Sequence, residues 1–223
     1  MAEASLAIIA ALEREIRPLI HTWPARDQTI DGRTLRFYEH DNAVAVAAGI
    51  GPEAARRAAV AAISLYHPQR LISAGFAGAL DRTLRIGDIL RPTVVINAAD
   101  GSRTPTTKGQ GTLVSFPSIA GAAQKARLAS AFAAQAVDME AASVAAAANG
   151  LSFDAIKAIS DELDFDLPLM DRYIDSSGQF QTAKFALAAA LRPWLWNRLR
   201  LLARNSAIAS RSLCDYLSRE AGI

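Results

Sequence analysis

The feature that most constrains this chain is its alternation of short apolar runs with alanine-rich segments of helical pattern. Leu6 to Ala11 reads as a strand, and Glu13 to His21 takes up a helical pattern. Thr34 to Glu39 and Ala43 to Ala48 read as strands about the polar turn at 40–42. Pro52 suits a first helical turn, where its missing N–H goes unnoticed, and the alanine-rich segment to Tyr66 follows as a helix. Arg70 to Ala74 is a strand that ends in a glycine-rich loop, 75–78, and Ile86 to Asn97 is strand-rich. The polar stretch Ala98 to Gly111, rich in Gly and Thr, reads as a mobile loop. Gly121 to Ala133 and Glu140 to Asn149 are helical, the second closed by Gly150 as C-cap. Phe153 to Ile159 is a strand that runs out at Ser160 and Asp161. Gln179 onward is nearly all helix, broken at Pro193. Strands that alternate with helices bury both sheet faces, so the expected architecture is a three-layer α/β/α sandwich. One domain spanning 1–223, with a helical segment at 179–223, is long enough to build it.

Composition narrows the function. With 51% hydrophobic and 21% charged residues and a net charge of +2, the chain reads as globular, with no footprint for nucleic acid. A single cysteine, Cys214, excludes an internal disulfide and points to a reducing compartment, the cytoplasm. The first residues lack a basic n-region, and the apolar run stops at Glu13, too early for a signal peptide or a membrane span. His21, His40 and His67 lack metal-ligand spacing, so neither metal nor cofactor is expected.

Three acidic features sit where strands end, and such ends are where α/β sheets bind ligands. They are Glu13 and Glu15 after the first strand, Asp138 and Glu140 in AVDMEAASVA, and Asp161 after Ser160. Each has a plain structural reading. Glu13, Glu15, Asp138 and Glu140 suit a first helical turn, and Asp161 suits an N-cap or turn. Their grouping around the glycine-rich stretch SAGFAGAL argues for a shared site.

These segments resemble a known family. IIAALEREI, AGIGPEAA, SAGFAGALDRTLRIGDIL, AVDMEAASVA and AISDELD occur in the order and spacing of the purine nucleoside phosphorylase/nucleosidase superfamily, most like 5′-methylthioadenosine/S-adenosylhomocysteine nucleosidase. The resemblance covers Leu6 to about Leu167; beyond it the tail is similar to the hopanoid-associated phosphorylase-like branch. It implies a mixed central sheet of the phosphorylase/hydrolase-like type, cleavage of an N-glycosidic bond, no cofactor, and a homodimer. By resemblance Asp161, with Ser160 beside it, protonates the departing purine, and Glu15 orients or deprotonates water. Glu140 binds the ribose hydroxyls and Met139 packs on the sugar. Phe76, Ala77 and Gly78 line the water and sugar site, while Phe116 or Ile119 covers the base. Phe76 departs from the family, where nucleosidases usually carry Ser, and the segment 100–114 is short.

Other readings are weighed against this one. Gly49-Ile50-Gly51 with Ala54 matches a dinucleotide fingerprint, but the next strand ends in Ser73-Ala74-Gly75 with no acidic residue. Cys214 lies in a helical tail with no His near it in sequence to activate it as a nucleophile. The runner-up activity is phosphorolysis, which needs cations where this chain has Glu13 and Ser73. A degenerate nucleoside-binding protein is the third reading, motivated by Phe76. From Arg192 onward there are six Arg against Asp215 and Glu220. Trp194, Leu195, Leu199 and Leu202 fall near one helical face there. Such a segment either lies on an anionic surface, peripheral to the inner membrane, or docks on the domain.

Overall fold

The computed structural model describes residues 4–165 and 196–222. Its centre is β1 (Leu6–Ala10), β4 (Ala43–Ala47) and β5 (Arg70–Ala79), parallel to one another, with β11 (Ser152–Asp161) parallel to β5 on its other edge. On one flank β3 (Arg33–His40) pairs antiparallel with β4, and β2 (Ala25–Ile30) with β3. On the other, β10 (Ala136–Asp138) is antiparallel to β5 and leads to β9 (Thr112–Ser115), β7 (Val94–Asn97) and β8 (Arg103–Pro105). The short β6 (Ile89–Leu90) pairs with β11, so the described strands form one mixed sheet.

The strand β1 is buried along its whole length because both of its faces are covered. Ala7 and Ile9 pack toward α2 (Pro52–Tyr66) and α4 (Ala141–Ala148), whose alanines let the helices lie close to the sheet. Leu6, Ile8 and Ala10 pack on the opposite face toward α1 (Glu13–Ile20) and α5 (Trp196–Ala221). A third cluster lies under α3 (Ala122–Phe132), where Leu128 meets Ile96, Val114 and Val137. This is the three-layer α/β/α arrangement with a mixed sheet.

Four details differ from the sequence reading. Residues 75–78 are not a loop. They continue β5, because β11 pairs with that strand from Arg70 as far as Gly78. Within the stretch 98–111, residues 103–105 form β8 and close a hairpin with β7, and the Thr107 hydroxyl donates to the buried Asp154 at 2.6 Å. Asn149, at φ 38°, takes the left-handed C-cap of α4, one residue before Gly150. Residues 25–30, unassigned in sequence, form β2 by pairing with β3. The stretch Gln179 to Leu195, expected to be helical, lies outside the described residues.

The site follows from a split along one edge of β5. Residues Arg70 to Ser73 pair with β1, whereas Gly78 and Ala79 pair with β10. Between these two partners the edge of β5 at 74–77 faces an opening instead of a strand.

Candidate active site

The carboxylates that crowd this opening serve as caps and pocket walls at once. Glu15 reaches back from the third position of α1, and its Oε2 accepts from the N–H groups of Ala11 and Leu12, both at 3.2 Å. Burial raises the pKa of its carboxyl, against the pull of the Leu12 N–H and of Lys157. Gly75 makes room for it: a Cβ at that position, where φ is +150°, would stand 2.9 Å from Glu15 Oε2. The turn is also held from outside. Pro18 has no N–H to give the Arg14 carbonyl, and Ser210 of α5 donates its hydroxyl there at 3.0 Å. The Cys214 thiol faces the Glu15 carbonyl at 3.6 Å; burial pushes it up to about 11, the state of a packing residue and not of a nucleophile.

Glu140 caps a helix as well, though not its own. Its Oε1 accepts the Gly51 N–H, at the N-terminus of α2, at 2.7 Å. Its Oε2 accepts from Met139 at 3.2 Å. Within the Gly49-Ile50-Gly51 stretch that matches a dinucleotide fingerprint, the Gly51 N–H is thus taken up by Glu140. The first turn of α4 is capped by Asp138, whose Oδ2 accepts from Ala141 at 2.9 Å. Ser115 bridges these groups, donating to Asp138 at 2.5 Å and accepting from the Ala142 N–H at 2.9 Å. Burial and the neighbouring Asp138 push Glu140 up to about 7.

Under these carboxylates lies Lys157, a buried residue that the sequence reading missed. Its ammonium bonds Asp138 at 2.8 Å and Ser73 at 3.1 Å. Burial alone would lower its pKa, but Asp138 and then Glu140 outweigh burial and raise it. A lysine inside the apolar run of β11 was the legible signal.

Asp161 stands at the far end of the opening. The parallel register of β11 slips between Ile159 and Asp161, and this bulge sets Asp161 beside Gly78. Ser160 donates to Asp161 Oδ1 at 2.8 Å, and the ammonium of Lys125, from α3, forms a short ion pair with Oδ2. Lys125 is buried and also donates to the Glu162 carbonyl at 2.6 Å. A Cβ on Gly78 would meet Asp161 Oδ2 at 2.8 Å and Lys125 Cε at 3.0 Å. The sequence held no hint of Lys125, because its helix has weak amphipathic pattern.

Together these groups line a pocket of about 370 Å³. Glu15, Phe76, Ala77, Gly78, Ile119, Met139, Glu140, Ser160 and Asp161 all contribute to its wall. Phe116 is not among them: it packs against the cluster beneath α3, so of the two candidates for covering the base only Ile119 is brought in. Arg14, Lys125, Phe165 and, from α5, Leu202 and Ser206 join the wall without having been anticipated.

An α/β/α sandwich whose pocket opens where one strand changes partners, walled by four buried or half-buried carboxylates, is the class that fold and site define. The chain belongs to the phosphorylase superfamily, whose sequence pattern it matches over residues 5–124. No curated protein matches it. Among solved structures it is similar to an S-adenosylhomocysteine nucleosidase from Streptococcus pyogenes in complex with 5-methylthiotubericidin. That match has 23% identity and a TM-score of 0.63, covering 74% of this chain and 87% of that one. The 5′-methylthioadenosine nucleosidase of Arabidopsis thaliana in apo form matches at 18% identity and TM-score 0.73, over 100% of this chain and 96% of that one. Futalosine hydrolase of Helicobacter pylori matches at 19% identity and TM-score 0.66, over 96% and 98%. At these identities the likeness is one of fold.

Proposed function

We propose that the chain is a nucleosidase that cleaves the N-glycosidic bond of a purine nucleoside or 5′-modified adenosine by attack of water. The observation that carries this reading is the convergence of Glu15, Glu140 and Asp161 on one pocket. Glycosidic cleavage passes through an oxocarbenium-like sugar and needs an acid for the departing base and an acceptor for the water proton. Asp161, joined to Ser160 and Lys125, is the acid end. Glu15 is the acceptor, held by two backbone N–H groups so that its carboxylate is fixed before substrate arrives. Glu140 takes the ribose hydroxyls with the acceptor capacity left after Gly51 and Met139. Met139 packs on the sugar, and Phe76, Ala77, Gly78 and Ile119 close the walls.

Water is favoured over phosphate on electrostatic grounds. A phosphate ion beside Glu15 and Glu140 needs cations, and the nearby Lys157 is already bonded to Asp138 and Ser73. The runner-up, phosphorolysis, draws its support from Arg14, which lines the pocket. Incubation with a panel of nucleosides in phosphate-free buffer tests the choice. Release of base at an undiminished rate with free or 5′-substituted ribose supports hydrolysis. Ribose 1-phosphate as the main product, or a rate proportional to phosphate, promotes the runner-up. Absence of cleavage under both conditions favours a degenerate binding protein.

Three further assignments belong to this reading. A homodimer is supported by α2, which leaves Val60 exposed at 43% on its outer side. A cytoplasmic place, peripheral to the inner membrane surface, is supported by the first turns of α5. There Trp196 and Leu201 are each 46% exposed, amid Arg198, Arg200 and Arg204. Leu202, by contrast, turns into the pocket, and Asn205, Ala209, Leu213 and Leu217 dock the rest of the helix on the sheet. No helix among the described residues is long and apolar enough to cross a membrane.

A further inference from the structure

Three of the pocket's carboxylates are buried close together: Glu15, Asp138 and Glu140 are 5%, 4% and 9% exposed. Like charges so placed repel, and at least one of them takes up a proton unless a cation stands among them. The described residues supply that cation from behind the wall. Lys157 does not line the pocket, and its side chain is 1% exposed. The parallel register sets it opposite Gly75, so it leaves the sheet on the face where Ala77, Ala155 and Ile159 also pack. Gly75, by lacking a Cβ, leaves the adjoining space to the Glu15 carboxylate. The Lys157 ammonium donates to Asp138 Oδ2 at 2.8 Å and to the Ser73 hydroxyl at 3.1 Å. Asp138 is thereby fully used, since Ser115 takes Oδ1 and the Ala141 N–H shares Oδ2. Glu140 and Glu15 are not bonded to Lys157 but lie within reach of its charge, which opposes the effect of burial on both. Arg14, from the exposed side, adds to the pull on Glu15, whereas Asp138 and Glu15 work against it at Glu140. Packing alone does not call for such a cation, because an apolar residue of similar length would avoid its desolvation.

We infer that Lys157 is a positioning residue for the reaction, acting through Asp138 and through its charge to keep Glu140 and Glu15 as acceptors for the sugar hydroxyls and the water proton. The assignment rests on the nucleosidase reading. Standing behind the wall, Lys157 acts on the substrate only through these carboxylates. It fixes Asp138, which caps the first turn of α4 and so holds Met139 and Glu140 at the entrance of that helix. Its charge offsets the mutual repulsion of the three acids, so that the pocket meets a nucleoside with acceptors already in place.

The test follows the pH dependence of binding. Titration calorimetry gives the Kd of a non-cleavable nucleoside analogue that does not ionise between about pH 5 and 9, with circular dichroism as the check on folding. Lys157→Met removes the charge and keeps the length. With no cation left beside Glu140, the midpoint of the Kd profile should move up from about 7 by roughly one pH unit or more. Binding should then weaken about tenfold at pH 6 and recover as the pH rises. Lys157→Arg keeps the charge and should restore the wild-type midpoint. Lys157→Gln, neutral but still able to donate to Asp138, should show the same displaced profile if Lys157→Met fails to fold. Four results would each overturn the assignment and leave the nucleosidase reading in place. They are a loss of affinity equal at every pH, an unmoved midpoint in a neutral variant, an equal displacement in Lys157→Arg, and failure of both neutral variants to fold. Failure of the wild-type chain to release base from any nucleoside would sink both.

Discussion

If the ionised form of Glu140 holds the sugar hydroxyls, nucleoside affinity must follow its titration. Burial and Asp138 set that titration near 7 in the empty pocket. An acceptor-only carboxylate binds two hydroxyl donors, while its protonated form carries a competing O–H, so only the ionised fraction binds well. Relative to pH 8, that fraction falls roughly tenfold at pH 6 and roughly a hundredfold at pH 5 for a group centred near 7. Titration calorimetry with a non-cleavable nucleoside analogue that does not ionise in this range should trace that slope in Kd. Circular dichroism at each pH checks that the fold persists. Glu140→Gln keeps the shape but not the charge. Its Kd should be roughly ten- to a hundredfold weaker at pH 8, the worth of a charged hydrogen bond, and flat with pH. The same group acts with opposite sign on folding of the empty protein. Because its pKa is raised above 4.5, its contribution to stability is complete below that value and is lost as pH rises through about 7. A wild-type Kd that stays flat from pH 5 to 8, or a Glu140→Gln slope equal to the wild-type slope, refutes the role given to Glu140.

Other outcomes are expected. Asp161→Asn should lose on the order of 10²-fold or more in turnover with little change in substrate affinity, read by steady-state kinetics. Gly75→Ala puts a Cβ 2.9 Å from Glu15 Oε2 at a left-handed φ, so it should cost about 1 kcal/mol or more in urea denaturation and lower kcat by roughly tenfold or more. Ser115→Ala leaves the Ala142 N–H and one Asp138 oxygen without their partner, which should cost about 1–3 kcal/mol by the same denaturation assay. Co-sedimentation with anionic vesicles at low salt should retain the chain and release it at high salt; no retention at low salt would retire the membrane assignment.

The alternation of strand-length apolar runs with alanine-rich segments was enough to determine the layered fold, since each run must be covered on both faces wherever it falls in the sheet. The same letters marked Glu15, Glu140 and Asp161, because acidic residues at strand ends interrupt otherwise buried stretches. Local pattern also offered capping as the rival explanation, and the two proved compatible. Glu140 caps α2, a helix whose N-terminal Gly51 lies 89 residues away in the chain, and no local rule could pair them. The glycines at 75 and 78 read as a loop because glycine disfavours strands; only the pairing with β11 shows them inside β5, emptied of side chains for Glu15 and for the Asp161–Lys125 pair. Lys125 itself was invisible in sequence, since a lysine on a weakly amphipathic helix looks solvated until a partner carboxylate from another strand is seen to hold it. Burial and ion pairing between distant segments are properties of the folded whole. The sequence by itself therefore determined the layers and the acidic residues, and the tertiary structure alone decided which cation meets which carboxylate.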